Sequence, residues 1–167
     1  MLKQIKQVAN EGGLAMVAYI SMGFGNPYGD PWSEQETAEA GRSIADLGIG
    51  TISIADTAGV ASPELVGRVV TAALGECGDS EVGVHLHSTR VGAAANILAA
   101  YDAGCRRFDA ALGGLGGCPF AQDELVGNVP TEEVLHALER RGVTLSLKGR
   151  VSRALALNTM ITDEFSG

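Results

Sequence analysis

No stretch of this sequence is apolar for long enough to cross a bilayer as a helix; the longest runs, such as residues 14–20, fall well short of the ~20 residues needed. A soluble chain with no membrane partner is therefore expected. Basic clusters are missing too. Twelve Lys and Arg stand against twenty Asp and Glu, giving a net charge of −8, and no Lys/Arg run occurs. That balance removes the electrostatic footprint of a nucleic-acid binder. Cysteine is sparse: Cys77, Cys105 and Cys118 are odd in number and show no CxxC or other zinc-ligand spacing. A disulfide framework and a structural zinc site are not expected. The first residues place Leu2, Ile5, Val8 and Ala9 at helical spacing and lack the apolar core and cleavage site of a signal peptide. A cytoplasmic setting follows as the expectation.

What is present suits one packed domain: 46% of the 167 residues are hydrophobic and only 19% are charged. The 23 glycines cluster between apolar runs instead of forming a repeat. Residues 14–21, 51–55, 82–86 and 106–110 are short, apolar or β-branched, and bounded by Gly or Asp, the pattern of buried parallel strands. Helical patterns follow them. Ser33 with Glu36 three residues later, Ser62 before Pro63, and Thr131 ahead of Glu132 and Glu133 mark helix starts.

Four such βα units imply a parallel sheet with right-handed crossovers, leaving a doubly wound sheet or a (β/α)8 barrel. Nearly all polar, Gly and Pro residues of interest fall after the strands, at 23–32, 56–61, 87–90 and 113–128. Barrel enzymes carry their active sites on that face. Eight strands and about 250 residues make a whole barrel, so the expected fold is α/β, half of a (β/α)8 barrel of about four βα units in a single domain over residues 1–167. Four strands would also leave two unpaired edges and one uncovered apolar face.

Within Gly-Val-His-Leu-His-Ser-Thr-Arg, His85 and His87 are two apart on a strand, so both side chains project to one face and Leu86 to the other. An HxH pair by itself fits half of a metal site or two hydrogen-bonded core histidines. Cys118 sits on a loop with four glycines just before it, a setting for a reactive thiol or for an incidental one. Asp56 and Thr57 follow the second strand, as catalytic rim residues or as ordinary helix-entry residues. Asn128 offers an amide oxygen to a hard cation, or makes a turn.

Together these residues resemble the 3-hydroxy-3-methylglutaryl-CoA lyase family. The likeness rests on Gly-Leu-Gly-Gly-Cys-Pro-Phe-Ala around Cys118, His85-x-His87 before it and Gly127-Asn128 after it. Ala-Tyr-Ile-Ser-Met-Gly-Phe-Gly-Asn-Pro-Tyr at 18–28 and Asp56-Thr-x-Gly59-Val60 add to it. It covers nearly the whole chain, fading after about Val143, as the C-terminal half of the family's barrel.

The resemblance implies Mg2+ or Mn2+ held by His85, His87 and Asn128. The family's fourth ligand, the aspartate of an Arg-Asp pair after the first strand, has no counterpart in this sequence. It implies retro-Claisen cleavage of 3-hydroxy-3-methylglutaryl-CoA: a base removes the hydroxyl proton, the C2–C3 bond breaks, and acetoacetate leaves the enolate of acetyl-CoA. Cys118 would manage the proton at that enolate and Asp56 would be a second catalytic group, with Ser53, Thr57, Arg90 and Glu132 as substrate contacts. Two departures bear on the acyl group: Ser88 stands where the family often has an acid, and Arg90 where it has an aromatic residue, so that Arg90 would meet an acyl carboxylate or a CoA phosphate. The partners implied are an acyl-CoA and either a second copy or a complementing N-terminal half-barrel. Two other readings stand beside this one: a sister aldolase or Claisen condensing enzyme, and a non-catalytic truncated or split-barrel subunit.

Overall fold

The computed structural model describes residues 1–88 (Ser88 by its backbone alone), 92–116, 127–146 and 151–165. Four parallel strands form the main sheet: β1 (Ala18–Ile20), β2 (Thr51–Ala55), β3 (Glu81–His85) and β5 (Arg107–Asp109). They lie in the order β1-β2-β3-β5, which is the order of the chain. A doubly wound sheet reverses its strand order at a switch point. Among the described residues this sheet has no reversal, as in successive units of a barrel.

Among the described residues six α-helices accompany it: α1 (Leu2–Glu11), α2 (Glu34–Ala45), α3 (Pro63–Glu76), α4 (Ala93–Asp102), α5 (Thr131–Arg140) and α6 (Val151–Phe165). Their starts follow local chemistry. Ser33 accepts a hydrogen bond from the Glu36 amide and donates to its carboxylate, and Ser62 accepts from the Leu65 amide with Pro63 at the first turn. Thr131 does begin α5, but its cap position is Pro130, without a side-chain cap bond.

The pleat separates the sheet into two unlike faces. Ile52, Ile54, Val82 and Val84 point to the helices and pack with Val66, Val69, Val70, Ala73, Ile97 and Ala100 in one buried cluster. On the opposite face the register aligns Tyr19, Ser53, Gly83 and Arg107 in one row, with Ala55, His85 and Asp109 in the next. That face is therefore polar, which corrects the expectation of an uncovered apolar one. Alternation along each strand sends its hydrophobic half to the helices and leaves the other half for chemistry. Exposed aliphatic side chains gather on Ile5, Val8 and Leu14 at and just beyond α1, and α6 exposes Leu157, Met160, Ile161 and Phe165.

Three elements depart from the expected plan. The first strand occupies only Ala18–Ile20, because Leu14 still closes the end of α1 through its amide on the Ala9 carbonyl and stays exposed. A short antiparallel pair, β4 (His87–Ser88) with β6 (Gly127–Asn128), joins two loops at the strand ends. α6 lies beyond the last helix expected from the pattern. β1 and β5 each have one neighbour in the sheet, so the two edges anticipated are present among the described residues.

Packing of α2 on α3 leaves no room at Gly41, where a Cβ would stand 2.7 Å from Sγ of the buried Cys77. Gly41→Ala should cost about 1–3 kcal/mol through overpacking. Gly67, also inside a helix, has no atom within 4 Å of a Cβ position, so Gly67→Ala should stabilise by about 0.5–1 kcal/mol. Urea midpoints moving in opposite directions for these two variants check the helix layer; equal shifts would contradict it.

Candidate metal centre at the strand ends

His85 ends β3 and His87 begins β4, with Leu86 between them turned into the core. The two imidazole rings share one side, with centroids 4.8 Å apart and planes at 73°. Each ring has Nδ1 against a backbone carbonyl oxygen, Asp56 O at 2.9 Å for His87 and Asp109 O at 3.3 Å for His85. A carbonyl can only accept, so these contacts are hydrogen bonds when Nδ1 carries the proton. In a neutral ring that leaves the lone pair on Nε2.

Asn128 completes the group. Its Nδ2 donates to the Leu115 carbonyl at 2.7 Å, which fixes the amide so that Oδ1 faces His87 Nε2 at 3.0 Å. Both ring nitrogens of His87 thus meet acceptor oxygens, while a neutral imidazole has one proton to give. Two lone pairs facing each other at this distance need positive charge, supplied by a ring proton or by a cation that both atoms ligate. An imidazole nitrogen and an amide oxygen are ligand types that a divalent cation accepts, so the residues present fit such an ion. Among the described residues no three His, Cys, Asp or Glu side chains gather to hold a metal. The described donor set is two imidazoles and one amide, without a carboxylate.

The rim loops are fixed around this group by the residues the sequence marked out. Asp56 is buried, and its carboxylate accepts from the Val60 and Ala61 amides at 3.0 and 3.2 Å. Burial raises its pKa above the usual carboxylate range, opposed by those two N–H groups. Ser53 is fully buried, with its hydroxyl donating to Asp109 Oδ2 at 2.7 Å. Asp56 and Ser53, expected as a catalytic group and a substrate contact, are both buried, with their side-chain oxygens hydrogen-bonded within the protein.

Thr57 Oγ1 accepts from the Met22 amide at 2.9 Å, tying the loop after β2 to the loop after β1. Glu132 accepts from the Gly113 amide at 3.1 Å, holding the start of the glycine loop. That loop passes close to Asn128: a Cβ at Gly116, whose φ is +78°, would lie 3.2 Å from Asn128 Nδ2. Arg90 and Cys118 lie outside the described residues.

Sequence reasoning missed Asp109, Tyr19 and Arg107. Asp109 Oδ2 also accepts from the Tyr19 hydroxyl at 2.9 Å, and its Oδ1 is 3.2 Å from Arg107 Nη2. Burial, followed by the bond to Asp109, raises the Tyr19 pKa. The available signal was the alternation Arg107-Phe108-Asp109 in the fourth strand, but placing those residues beside His85 requires the strand register.

A family model described as HMGL-like matches residues 2–161. The hydroxymethylglutaryl-CoA lyase YngG of Bacillus subtilis (strain 168) is 34% identical over 148 residues, covering 89% of this chain and 49% of that protein. The (R)-citramalyl-CoA lyase of Chloroflexus aurantiacus is 40% identical over 131 residues, covering 78% and 41%. A solved structure of an HMG-CoA lyase from A. baumannii, in complex with coenzyme A and 3-methylmalate, superposes with a TM-score of 0.75 at 38% identity, over 86% of this chain and 46% of the other. The chain spans about half the length of the curated relatives it matches.

Cys77 and Cys105 are both buried, and burial raises both thiols, Cys105 to about 11. A raised pKa keeps a thiol protonated and unreactive at pH 8. In the folded chain, iodoacetamide should label Cys118 first, with Cys77 and Cys105 slower by roughly tenfold or more. Mass mapping of the alkylated peptides checks this order, and fastest labelling at Cys105 would reverse it.

Proposed function

The chain belongs to the HMGL-like family, and from that membership and the strand-end geometry we propose that it supplies the metal-binding half of an acyl-CoA carbon–carbon lyase. The observation that carries the reading is the approach of His87 Nε2 to Asn128 Oδ1 at 3.0 Å, with the His85 ring alongside. His85, His87 and Asn128 would hold Mn2+ or Mg2+. When bound, such an ion polarises substrate oxygens and stabilises the negative charge that develops as a carbon–carbon bond breaks.

The substrate proposed is 3-hydroxy-3-methylglutaryl-CoA, cleaved between C2 and C3 to acetoacetate and acetyl-CoA. The hydroxyl proton leaves, the electron pair of the C2–C3 bond passes to C2 of the thioester, and a proton returns there. Cys118 is the proposed donor of that proton. Arg90 carries a fixed positive charge suited to an acyl carboxylate or a CoA phosphate. Asp56, Ser53, Thr57 and Glu132 act on the reaction by fixing the loops that bear the ligands. A second substrate reading, (R)-citramalyl-CoA, is favoured by the 40% identity to the lyase named for it.

Two features support completion of the site by residues beyond these, on the same polypeptide or on a partner. The described donor set has no carboxylate, and hard cations are held largely by anionic oxygens. Two open sheet edges and the apolar faces of α1 and α6 also favour association, with a second copy or with an N-terminal half-barrel that brings the Arg-Asp pair. The arginine of that pair would stand near the developing enolate, where one such group contributes about 10²–10³ in rate.

Manganese titration followed by electron paramagnetic resonance, together with turnover assays on both thioesters, tests the proposal. The chain alone should bind Mn2+ weakly, lose that binding on His87→Ala or Asn128→Ala, and turn over neither thioester at a family rate. Mixing with an Arg-Asp-bearing half should restore turnover, and Cys118→Ala should then abolish it while Mn2+ stays bound. Unchanged Mn2+ binding in both ligand variants would overturn the metal centre. Full turnover by the monomeric chain would overturn the need for those further residues.

A further inference from the structure

Behind the two histidines the same device occurs twice: a backbone carbonyl meets Nδ1, and the residue that owns the carbonyl is an aspartate whose own carboxylate is pinned. For His87 this is Asp56, held by the Val60 and Ala61 amides. For His85 it is Asp109, which the sequence did not single out. Its carboxylate gathers the Ser53 hydroxyl at 2.7 Å, the Tyr19 hydroxyl at 2.9 Å and the Arg107 guanidinium at 3.2 Å. Arg107 is itself constrained, 3.5 Å from the Glu81 carboxylate and lying across Gly83, where a Cβ would come within 2.8 Å of its Cγ and Cδ.

Tyr19, Ser53, His85 and Asp109 come one from each strand of the sheet, so Asp109 links all four on the polar face, its carboxylate reaching β1 and β2 and its carbonyl meeting His85 of β3. We propose that Asp109 is the positioning residue of His85: its pinned side chain holds its own carbonyl against Nδ1, which fixes the Nδ1–H tautomer and leaves the Nε2 lone pair for the site shared with His87 and Asn128. The physical need is plain. A ring with its proton on Nε2 has no lone pair there to offer, and groups that orient a ligating histidine are typically worth about 10–100-fold in metal affinity. The link to metal affinity rests on the metal centre proposed above; the tautomer assignment does not.

Long-range 15N–1H spectra of the three histidine side chains at pH 8 separate the two, with the exposed His136 as internal reference. In the unaltered chain His85 should show the Nδ1–H form. Asp109→Ala should move His85 toward the Nε2–H form, leave His87 as it is, and weaken Mn2+ binding by about 10–100-fold. Asp109→Asn, which keeps an oxygen for the two hydroxyls, should restore most of both. The double variant Tyr19→Phe with Ser53→Ala keeps the acid and its Arg107 contact but removes its two hydroxyl tethers, so it should move His85 in the same direction, and it serves if Asp109→Ala does not fold. An Nε2–H form of His85 in the unaltered chain, or a tautomer unchanged in every folded variant, would overturn the role of Asp109. If the unaltered chain bound no Mn2+ while its tautomers shifted as described, the metal reading would fail and the positioning role would stand.

Discussion

Ile52, Ile54, Val82 and Val84 lie on the helix side of the two central strands, all but excluded from water, and the arrangement of the molecule depends on their burial. Each such side chain contributes about 1.5–3 kcal/mol when it leaves water. The gain is made against α3 and α4, so it locks the sheet to one helix layer and fixes the phase of both strands. A one-residue slip would turn every buried residue outward. Once that phase is set, Ser53, Gly83 and His85 have no choice of face: they must share the other side with Tyr19, Arg107 and Asp109.

The polar face is thus the by-product of an apolar one, and it is organised by groups with few alternatives. Asp56 and Asp109 each do two jobs with different atoms. Their carboxylates collect donors that hold loops and strands, and their backbone carbonyls meet the histidines. An ionisable side chain withdrawn from water is expensive unless paired, and here the pairing also freezes the backbone atom that matters. The loops then meet across the strand ends through β4 and β6, which bring Asn128 to His87 although 41 residues separate them.

Much of the fold was legible in the sequence because the relevant signals are local. Four apolar runs bounded by Gly or Asp, and the caps at Ser33 and Ser62, locate strands and helix starts to within a few residues. The spacing of His85 and His87 puts their rings on one side, and the structure does so at 4.8 Å. Other features were out of reach for equally physical reasons. Asp109 reads as an ordinary strand residue until the register puts it beside His85 and its hydroxyl partners, the nearer of which is 56 residues away. Asp56 and Ser53 carry the chemistry expected of site residues, but that both are buried and hydrogen-bonded within the protein shows only in the fold.

The sequence alone determined the βα rhythm, the candidate ligands and the family likeness, because those reside in spacing and side-chain chemistry along a short stretch of chain. Tertiary structure decided which face is polar, which nitrogen of each histidine faces a carbonyl, and which donors each aspartate gathers. Those depend on register and on loops meeting across the strand ends, where each contact is set by residues far apart in the chain.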